Sequence, residues 1–286
     1  TNGNFTGIRI MGIFQNNLLA ASAAAASAGG GGFYSHQIEQ SCRFDASASS
    51  RLYRTFGSPS GATKLTISFW CKIPSIAGYQ QIFSRAGGYG GGNGASITLE
   101  DNIGGGHVDI MTMYAMTGSS GGNTGDNNYP ANAFRDRGGW SHIHYKVDTS
   151  KTGMSGNNAK VVMHINGVLS VFVNTNEPSG NLNNFNDNGS VHSIGNGNGN
   201  TQGDIYLAEF IFLDNQYEDY TSFGESKNGV WIPKDPSGLT FGNNGFHLKY
   251  ENSGDLGNDS SGNNNDFTAT GLGADHQVLD SPTFGS

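Results

Sequence analysis

The sequence is poor in charged residues and has no cluster of basic ones. Charged residues make up 13% of the 286 residues, against about 25% in an average globular domain. The 15 basic and 23 acidic side chains give a formal net charge of −8. Nucleic-acid binding requires a concentration of positive charge, so we predict no nucleic-acid partner.

The sequence also lacks an apolar run long enough to span a membrane. Its most apolar stretch, residues 18–28, consists almost entirely of alanine, leucine and serine, and the polar residues 15–17 precede it. Because a spanning helix needs about 20 predominantly apolar residues, we predict no membrane span.

Cysteine is nearly absent. The two cysteines, Cys42 and Cys71, each lie in a strand-like run, and neither has metal-ligand spacing to another ligand. A single disulfide could join them. Two buried free thiols that pack as small apolar residues are the favoured interpretation.

Glycine and aromatic residues, in contrast, are abundant. The 45 glycines exceed twice the usual share of about 7%, which predicts that loops and turns occupy much of the chain. The 17 Phe, 11 Tyr and 3 Trp supply bulk for a packed core. A globally disordered chain would lack such residues, so we predict a folded protein rich in loops.

Residues 139–173 carry the clearest strand pattern. Ile143, Tyr145 and Val147 alternate with polar residues, as expected of a strand in a sheet with two unlike faces. Asn166 and Gly167 lie between two apolar runs, and this dipeptide favours a two-residue hairpin turn because both positions need positive φ. We therefore predict an antiparallel meander in this stretch.

Other strand-like runs follow one another at short intervals after residue 33. Residues 204–213 break strict alternation near Ala208 and Glu209, which predicts a β-bulge. No long helical period follows residue 28, and many short strands separated by Gly/Asn turns favour a β-sandwich. The other predicted strands cover residues 40–45, 64–73, 80–85, 96–99, 107–114 and 192–195.

Four stretches resemble the concanavalin A-like, laminin-G-like jelly roll. They read ISFWCKIP, GGWSHIHYKVDT, VVMHINGVLSVF and SIGNG followed by GDIYLAEFIFLD, and the resemblance covers roughly residues 40–215. It implies an all-β fold in which two antiparallel sheets form a jelly-roll sandwich.

Five stretches resemble a family of marine bacteriophage virion proteins, described as tail-fibre or appendage proteins that carry this lectin-like domain. They read SCRFDASASSRLYRT, SFGESKNGVWIPKDPSG, NNGFHLKY, DSSGNNNDFTATG and HQVLDSPT. The resemblance implies a structural protein at the virion surface, with host glycan contact and no catalytic residues to transfer. The alternative is a secreted or cell-surface carbohydrate-binding module, which would be extracellular and have no virion role.

The chain divides into three predicted parts. They are a helical or extended anchoring segment at residues 1–32, the jelly roll at residues 33–222 and an irregular Gly/Asn-rich extension at residues 223–286. Leu18 and Leu19 are the only large side chains of the short helix predicted in the anchoring segment. We expect them to insert into a neighbouring subunit or virion protein, which favours a homo-oligomer. A frayed terminus is the alternative.

The carboxylates do not match those of a glycosidase of this shape. Such an enzyme needs two positioned carboxyl groups at the scissile bond. Asp109 stands alone in its strand, and Glu209 and Asp214 do not have the required spacing. We therefore predict that the protein is not an enzyme.

Histidines and tryptophans offer two other kinds of site. His142 and His144 share one strand face and could bind a metal, although hydrogen-bonded histidines on a polar face are the favoured interpretation. Trp70, Trp140 and Trp231 could stack on sugars, but each lies in a strand-like framework motif, which favours packing in the core.

Three carboxylates are spaced in part like those of a calcium-binding loop. Asp255, Asp259 and Asp266 occupy relative positions 1, 5 and 12, but Ser260 stands where such a loop needs glycine. Two interpretations remain, a Ca²⁺ site and a solvated Asx-rich turn, and the turn is favoured. No other cofactor is predicted.

Two glycine-rich loops offer the best candidate surface for a ligand. They carry Tyr89, in residues 86–95, and Asp126, Asn127, Asn128 and Tyr129, in residues 118–132. Binding residues often lie on loops held by a rigid scaffold, and aromatic and amide side chains can contact a host glycan. Plain surface loops or subunit contacts are the alternative.

Overall fold

The computed structural model describes residues 32–46, 48–75, 79–85, 95–100, 110–114, 130, 134, 136–172, 177–195 and 204–283. Within them the chain forms two antiparallel sheets that share one core, and a small separate hairpin. Helical structure in these ranges is limited to two 3-10 turns, Tyr220–Ser222 and Ala274–His276. Neither turn has the length to cross a membrane. The predicted all-β, two-sheet sandwich is confirmed.

The larger sheet, sheet A, has eight strands. They are β1 (Ser41–Phe44), β3 (Lys64–Lys72), β7 (Ser141–Asp148), β8 (Val161–Ile165), β9 (Val168–Ser170), β11 (Ile205–Asp214), β14 (Phe246–Leu248) and β16 (Gln277–Val278). Their order is β16–β1–β11–β3–β7–β8–β9, and β14 also pairs with β11. The long strand β11 therefore holds β1 against its first half and β14 against its second half.

The smaller sheet, sheet B, has six strands. They are β2 (Arg51–Thr55), β4 (Tyr79–Arg85), β5 (Ser96–Glu100), β6 (Ile110–Tyr114), β10 (Val191–Ile194) and β15 (Thr268–Thr270), and their order is β15–β2–β10–β4–β5–β6. The separate hairpin consists of β12 (Gly224–Lys227) and β13 (Val230–Pro233).

The core lies where the inward faces of the two sheets meet. Ile67 and Phe69 of β3 alternate along the strand and are fully buried, as is Ile97 of β5 in the other sheet. The Phe83 ring of sheet B lies 5.8 Å from the Phe212 ring of sheet A, measured between centroids. Burying one such side chain stabilises the fold by about 1.5–3 kcal/mol, so the aromatic residues hold the sheets together.

Two local predictions from the sequence are confirmed in the sheets. The pairing of β11 with β3 shifts register between Ala208 and Ile211, and Glu209 has a φ of 48° there, which is the predicted bulge. Cys42 and Cys71 are free and completely buried, and burial raises the pKa of both thiols far above the ordinary value. They pack as small apolar residues.

The C-terminal segment is part of the sandwich rather than an irregular extension of it. β14 and β16 join sheet A, β15 joins sheet B, and Phe246 and Phe267 are buried in the shared core. These strands are two or three residues long and lie among Gly and Asn residues, so their alternation is too short to read from the sequence.

The predicted two-residue turn is confirmed between β8 and β9. Asn166 and Gly167 both have positive φ, at 49° and 75°. A Cβ atom on Gly167 would lie 2.4 Å from Cε3 of Trp231. Position 167 therefore requires glycine for two reasons. Its φ is positive, and the Trp231 ring leaves no room for a Cβ atom.

We expect Gly167→Ala to lower the free energy of unfolding by about 3 kcal/mol, from left-handed strain and from displacement of Trp231. Gly229 is the matched control, because its φ is 81° but a Cβ there would meet nothing within 4 Å. Gly229→Ala should cost only the strain, about 1–2 kcal/mol. Equal losses in urea denaturation would contradict the packing of Trp231 on the turn.

Candidate functional site

The outward face of sheet B is lined by hydroxyl groups. Ser84 pairs with Ser96 on one side and with Ser193 on the other, and Thr98 pairs with Thr112. All five alternate with core residues and are at most 5% exposed. Thr98 Oγ1 donates to Ser96 Oγ at 2.9 Å, and the Thr112 hydroxyl has no partner among the described residues. At this exposure the hydroxyl groups pack against other parts of the chain and are not accessible to a ligand.

The strand ends that flank the two glycine-rich segments are neighbours in sheet B. Residues 86–94 connect β4 to β5, and residues 115–129 follow β6. Ser84 pairs with Ser96, and Ser96 pairs with Tyr114, so both loops start at the same end of the sheet. The register therefore places side by side the strand ends to which these two segments are attached.

The predicted ligand and assembly residues of these segments lie outside the described residues. They are Tyr89, Asp126, Asn127, Asn128 and Tyr129 in the loops, and Leu18 and Leu19 near the N-terminus. Their roles stay predictions, and the described strands define only where the loops are attached.

An ion pair braces the strand end from which the first loop departs. Arg85 Nη2 donates to Asp187 Oδ2 at 2.7 Å, and Arg85 Nε donates to Asp187 Oδ1 at 3.1 Å. The Ser190 hydroxyl donates to the same carboxylate at 2.6 Å. His192 stacks on Phe56 with 3.8 Å between ring centroids, and burial lowers the pKa of His192 to about 4. These contacts give the loops a rigid base.

The histidines of sheet A form a hydrogen-bonded polar layer on its outward face. His142 Nε2 contacts Ser68 Oγ at 2.8 Å, and Trp231 Nε1 donates to His142 Nδ1 at 3.0 Å. His144 Nδ1 lies 3.3 Å from His164 Nδ1. Burial lowers the pKa of His142 to about 3 and holds the pKa of His144 well below its ordinary value. These side chains are engaged with one another, as the favoured interpretation expects.

The three tryptophans pack beside these histidines on the same face. Trp70 is 5% exposed and is buried with Ile38 and Ala208, and the half-buried Trp140 and Trp231 pack against them. Their rings pack within this cluster, which agrees with the interpretation from the sequence that the tryptophans pack in the protein rather than stack on sugars.

The two carboxylates considered for catalysis have structural partners. Glu209 contacts His247, and its Oε1 lies 3.5 Å from His36 Nε2. Burial would raise the pKa of Glu209, but hydrogen bonds to these histidines outweigh it and lower the pKa to about 2. Asp214 is fully buried and accepts hydrogen bonds from three neighbouring segments. Asp109 lies outside the described residues.

The candidate calcium residues are not gathered into one site. The Asp259 carboxylate accepts hydrogen bonds from three backbone N–H groups and one hydroxyl, at 2.7–2.9 Å. Asp266 accepts one from the backbone N–H of Asp259 at 2.8 Å, whereas Asp255 is exposed. No three His, Cys, Asp or Glu side chains in the described ranges are placed to hold a metal ion. Asp259 acts instead as the centre of an Asx-rich turn.

Comparison with known proteins supports the fold. No protein-family model and no curated protein matches the sequence. A Bacteroides ovatus protein proposed to bind carbohydrate matches with a TM-score of 0.52 and 13% identity, over 82% of this chain and 58% of that chain. This chain therefore spans less than two thirds of that protein. At such low identity the match establishes the fold alone.

Two further structures resemble the chain more distantly. Domain 4 of an extracellular arabinanase from Geobacillus stearothermophilus, solved with arabinotriose, has a TM-score of 0.35 and 18% identity over 51% of this chain and 60% of that one. A heptameric SAP-like pentraxin from Limulus polyphemus has a TM-score of 0.39 and 12% identity over 63% and 78%. Both scores are too low to carry an argument. The sheets themselves define a jelly-roll sandwich with a lectin-like fold.

Proposed function

We propose that this chain is a non-catalytic, carbohydrate-binding lectin-like domain that contacts glycans through residues 86–95 and 118–132. The observation that carries the proposal is the strand register of sheet B, which starts both loops at one braced end of the sheet. The Bacteroides ovatus neighbour, itself proposed to bind carbohydrate, supports the same assignment.

The loop side chains have the chemistry that a sugar requires. Tyr89 and Tyr129 can each stack an aromatic face on a pyranose ring. Asp126, Asn127 and Asn128 supply acceptors and donors for hydroxyl groups. Ordering two glycine-rich loops costs conformational entropy, so we expect a Kd of about 1 mM for a single site. Many copies on one surface would raise the overall affinity through multivalency.

The double substitution Tyr89→Ala with Tyr129→Ala should reduce glycan binding at least about tenfold, because it removes both stacking surfaces. The melting temperature should be unchanged, since both residues lie in the loops. Binding is measured on immobilised glycans, and folding by circular dichroism.

Tyr34→Ala is the control, because Tyr34 is a half-buried tyrosine outside sheet B, and the neighbouring Ser35 donates to Glu225 of the β12–β13 hairpin. It should bind as the parent does. A double variant that also binds as the parent does would exclude these loops as the site.

A virion appendage that carries this domain is the second candidate. It is supported by the five stretches that resemble marine bacteriophage virion proteins. In this proposal the protein lies at the virion surface, and residues 1–32 join it to other virion proteins or to further copies, with Leu18 and Leu19 at the contact. Mass spectrometry of purified particles tests it, because a virion protein must be present at a fixed copy number. If the protein is instead a secreted or cell-surface carbohydrate-binding module, it is extracellular and absent from purified particles.

A further inference from the structure

Three side chains form a row across neighbouring strands on the outward face of sheet A. Arg43 of β1 pairs with Tyr206 of β11, and Tyr206 pairs with Lys72 of β3. Paired residues of a sheet point to the same face. The next residues along these strands are buried in the core, so the row faces outward. An aromatic ring therefore lies between two cations, on the sheet opposite the one to which the glycine-rich segments are attached.

Lys72 is held in place by the C-terminal segment. Its Nζ lies 2.5 Å from Asp280 Oδ2 and 5.8 Å from the centroid of the Tyr206 ring. Trp140 Nε1 donates to the other oxygen of Asp280 at 2.9 Å. Asp280 is therefore a positioning residue that fixes the cation beside the ring.

An open cleft of about 440 Å³ lies against this row. This volume falls within the range of about 300–1,000 Å³ that is usual for small-ligand sites. Tyr206 is only partly buried, and the side chain of Arg43 is 39% exposed. The Arg43 Nε–H is itself buried and has no acceptor among the described residues. The residues that line the cleft are Arg43, Asp45, Ala46, Pro74, Asp204 and Tyr206.

We propose that this cleft binds one neutral hexopyranose unit, which would give the lectin-like domain a second sugar site; the inference rests on the proposed function. The ring of Tyr206 stacks on the apolar face of the sugar, and Arg43 donates to a sugar oxygen. The carboxylates of Asp45 and Asp204 accept hydrogen bonds from hydroxyl groups. A uronic or sialic acid is disfavoured because the lining carries two carboxylates against one cation, Arg43, whose Nη2 already lies 4.0 Å from Asp45 Oδ2. Lys72 adds no free charge, since it is paired with Asp280.

The test is a titration of ¹⁵N-labelled protein with the methyl glycosides of glucose, galactose and mannose, and with glucuronate. We expect at least one neutral glycoside to shift the amide signals of residues 43–46 and 204–206. Tyr206→Phe keeps the ring and should bind normally, whereas Tyr206→Ala should weaken binding at these signals about tenfold or more. Arg43→Gln leaves the Tyr206 ring in place and removes the positive charge, and it should also weaken binding. Tyr53→Ala, on sheet B, should leave binding at these signals unchanged.

The outcomes separate this inference from the proposed function. If a glycoside shifts signals elsewhere but leaves residues 43–46 and 204–206 unchanged, the cleft is not a sugar site and the proposed function still stands. Tighter binding of glucuronate at the cleft would overturn the assignment to a neutral sugar. If no glycan shifts any signal, both proposals fail. The spectrum of each variant also shows whether the variant is folded.

Discussion

Acidification from pH 7 to pH 4 should unfold this domain. His142 and His192 are completely buried, and burial lowers the pKa of His142 to about 3 and that of His192 to about 4. Burial also holds His144 and His164 below their ordinary pKa. In the unfolded chain each histidine titrates near pH 6.5. The unfolded state therefore binds more protons than the folded state throughout this range.

The sign of the effect follows from these lowered pKa values. The stability that each neutral histidine contributes is complete above about pH 6.5 and is lost as the pH falls towards the folded-state pKa. For a fully buried histidine the loss reaches about 3 kcal/mol by pH 4. His142 and His192 together lose about 6 kcal/mol, which is comparable to the total stability of about 5–15 kcal/mol of a typical domain.

Thermal denaturation at pH 7, 6, 5 and 4 measures this loss. We expect the melting temperature to fall steeply over the range, and the far-ultraviolet signal of the sheets to be lost near pH 4. The carboxylate of Glu209 has a pKa of about 2 in the folded state, so its contribution is lost mainly below this range. His192→Asn removes one titrating group, so the pH dependence of the free energy of unfolding should become less steep by about one proton. A melting temperature that stays constant from pH 7 to pH 5 would show that the histidines are not buried in neutral form.

Asp214→Ala should lower the free energy of unfolding by about 4 kcal/mol. The Asp214 carboxylate is fully buried, and its Oδ1 accepts from Asn186 Nδ2 at 2.6 Å. Its Oδ2 accepts from the backbone N–H groups of Ser60 and Asn244 at 2.7 and 3.1 Å. Alanine would leave two buried donors, on Asn186 and Asn244, and one partly buried donor, on Ser60, without an acceptor, and each buried donor costs about 1–3 kcal/mol. The three donors come from different segments, so their common anchor at the end of β11 would be lost.

The melting temperature of Asp214→Ala should fall by roughly 10 °C or more. Asp235→Ala is the matched control, since Asp235 also accepts a backbone hydrogen bond, from Ser237 at 3.0 Å, but is exposed. It should change stability by no more than about 0.5 kcal/mol. Similar losses in the two variants would mean that Asp214 does not anchor the three segments.

Much of the sandwich can be derived from local patterns in the chain. The alternation in β3 and β7 predicts which residues face the core, because successive side chains of a strand point to opposite sides. The Asn166-Gly167 turn and the bulge at Glu209 are also local, since each depends on the φ angles of one or two residues. The roles of the glycine-rich stretches at residues 86–95 and 118–132 also rest on local composition, and they stay predictions.

The strands of the C-terminal segment could not be derived in this way. β16 pairs Val278 with Ser41, from the opposite end of the chain, and β15 pairs Thr268 with Tyr53. A strand of two or three residues carries no readable period, and its conformation depends on a partner that the local sequence does not specify.

The same reason applies to the proposed sugar cleft and to the buried histidines. Arg43, Lys72 and Tyr206 each look like an ordinary outward residue of a strand, and only the register of β1, β11 and β3 places them in one row. His142 and His192 lie in alternating strands, but their lowered pKa values depend on the segments that cover them. Local alternation therefore accounts for the sheets, whereas pairing and burial between distant segments form the cleft and lower the pKa values of the histidines.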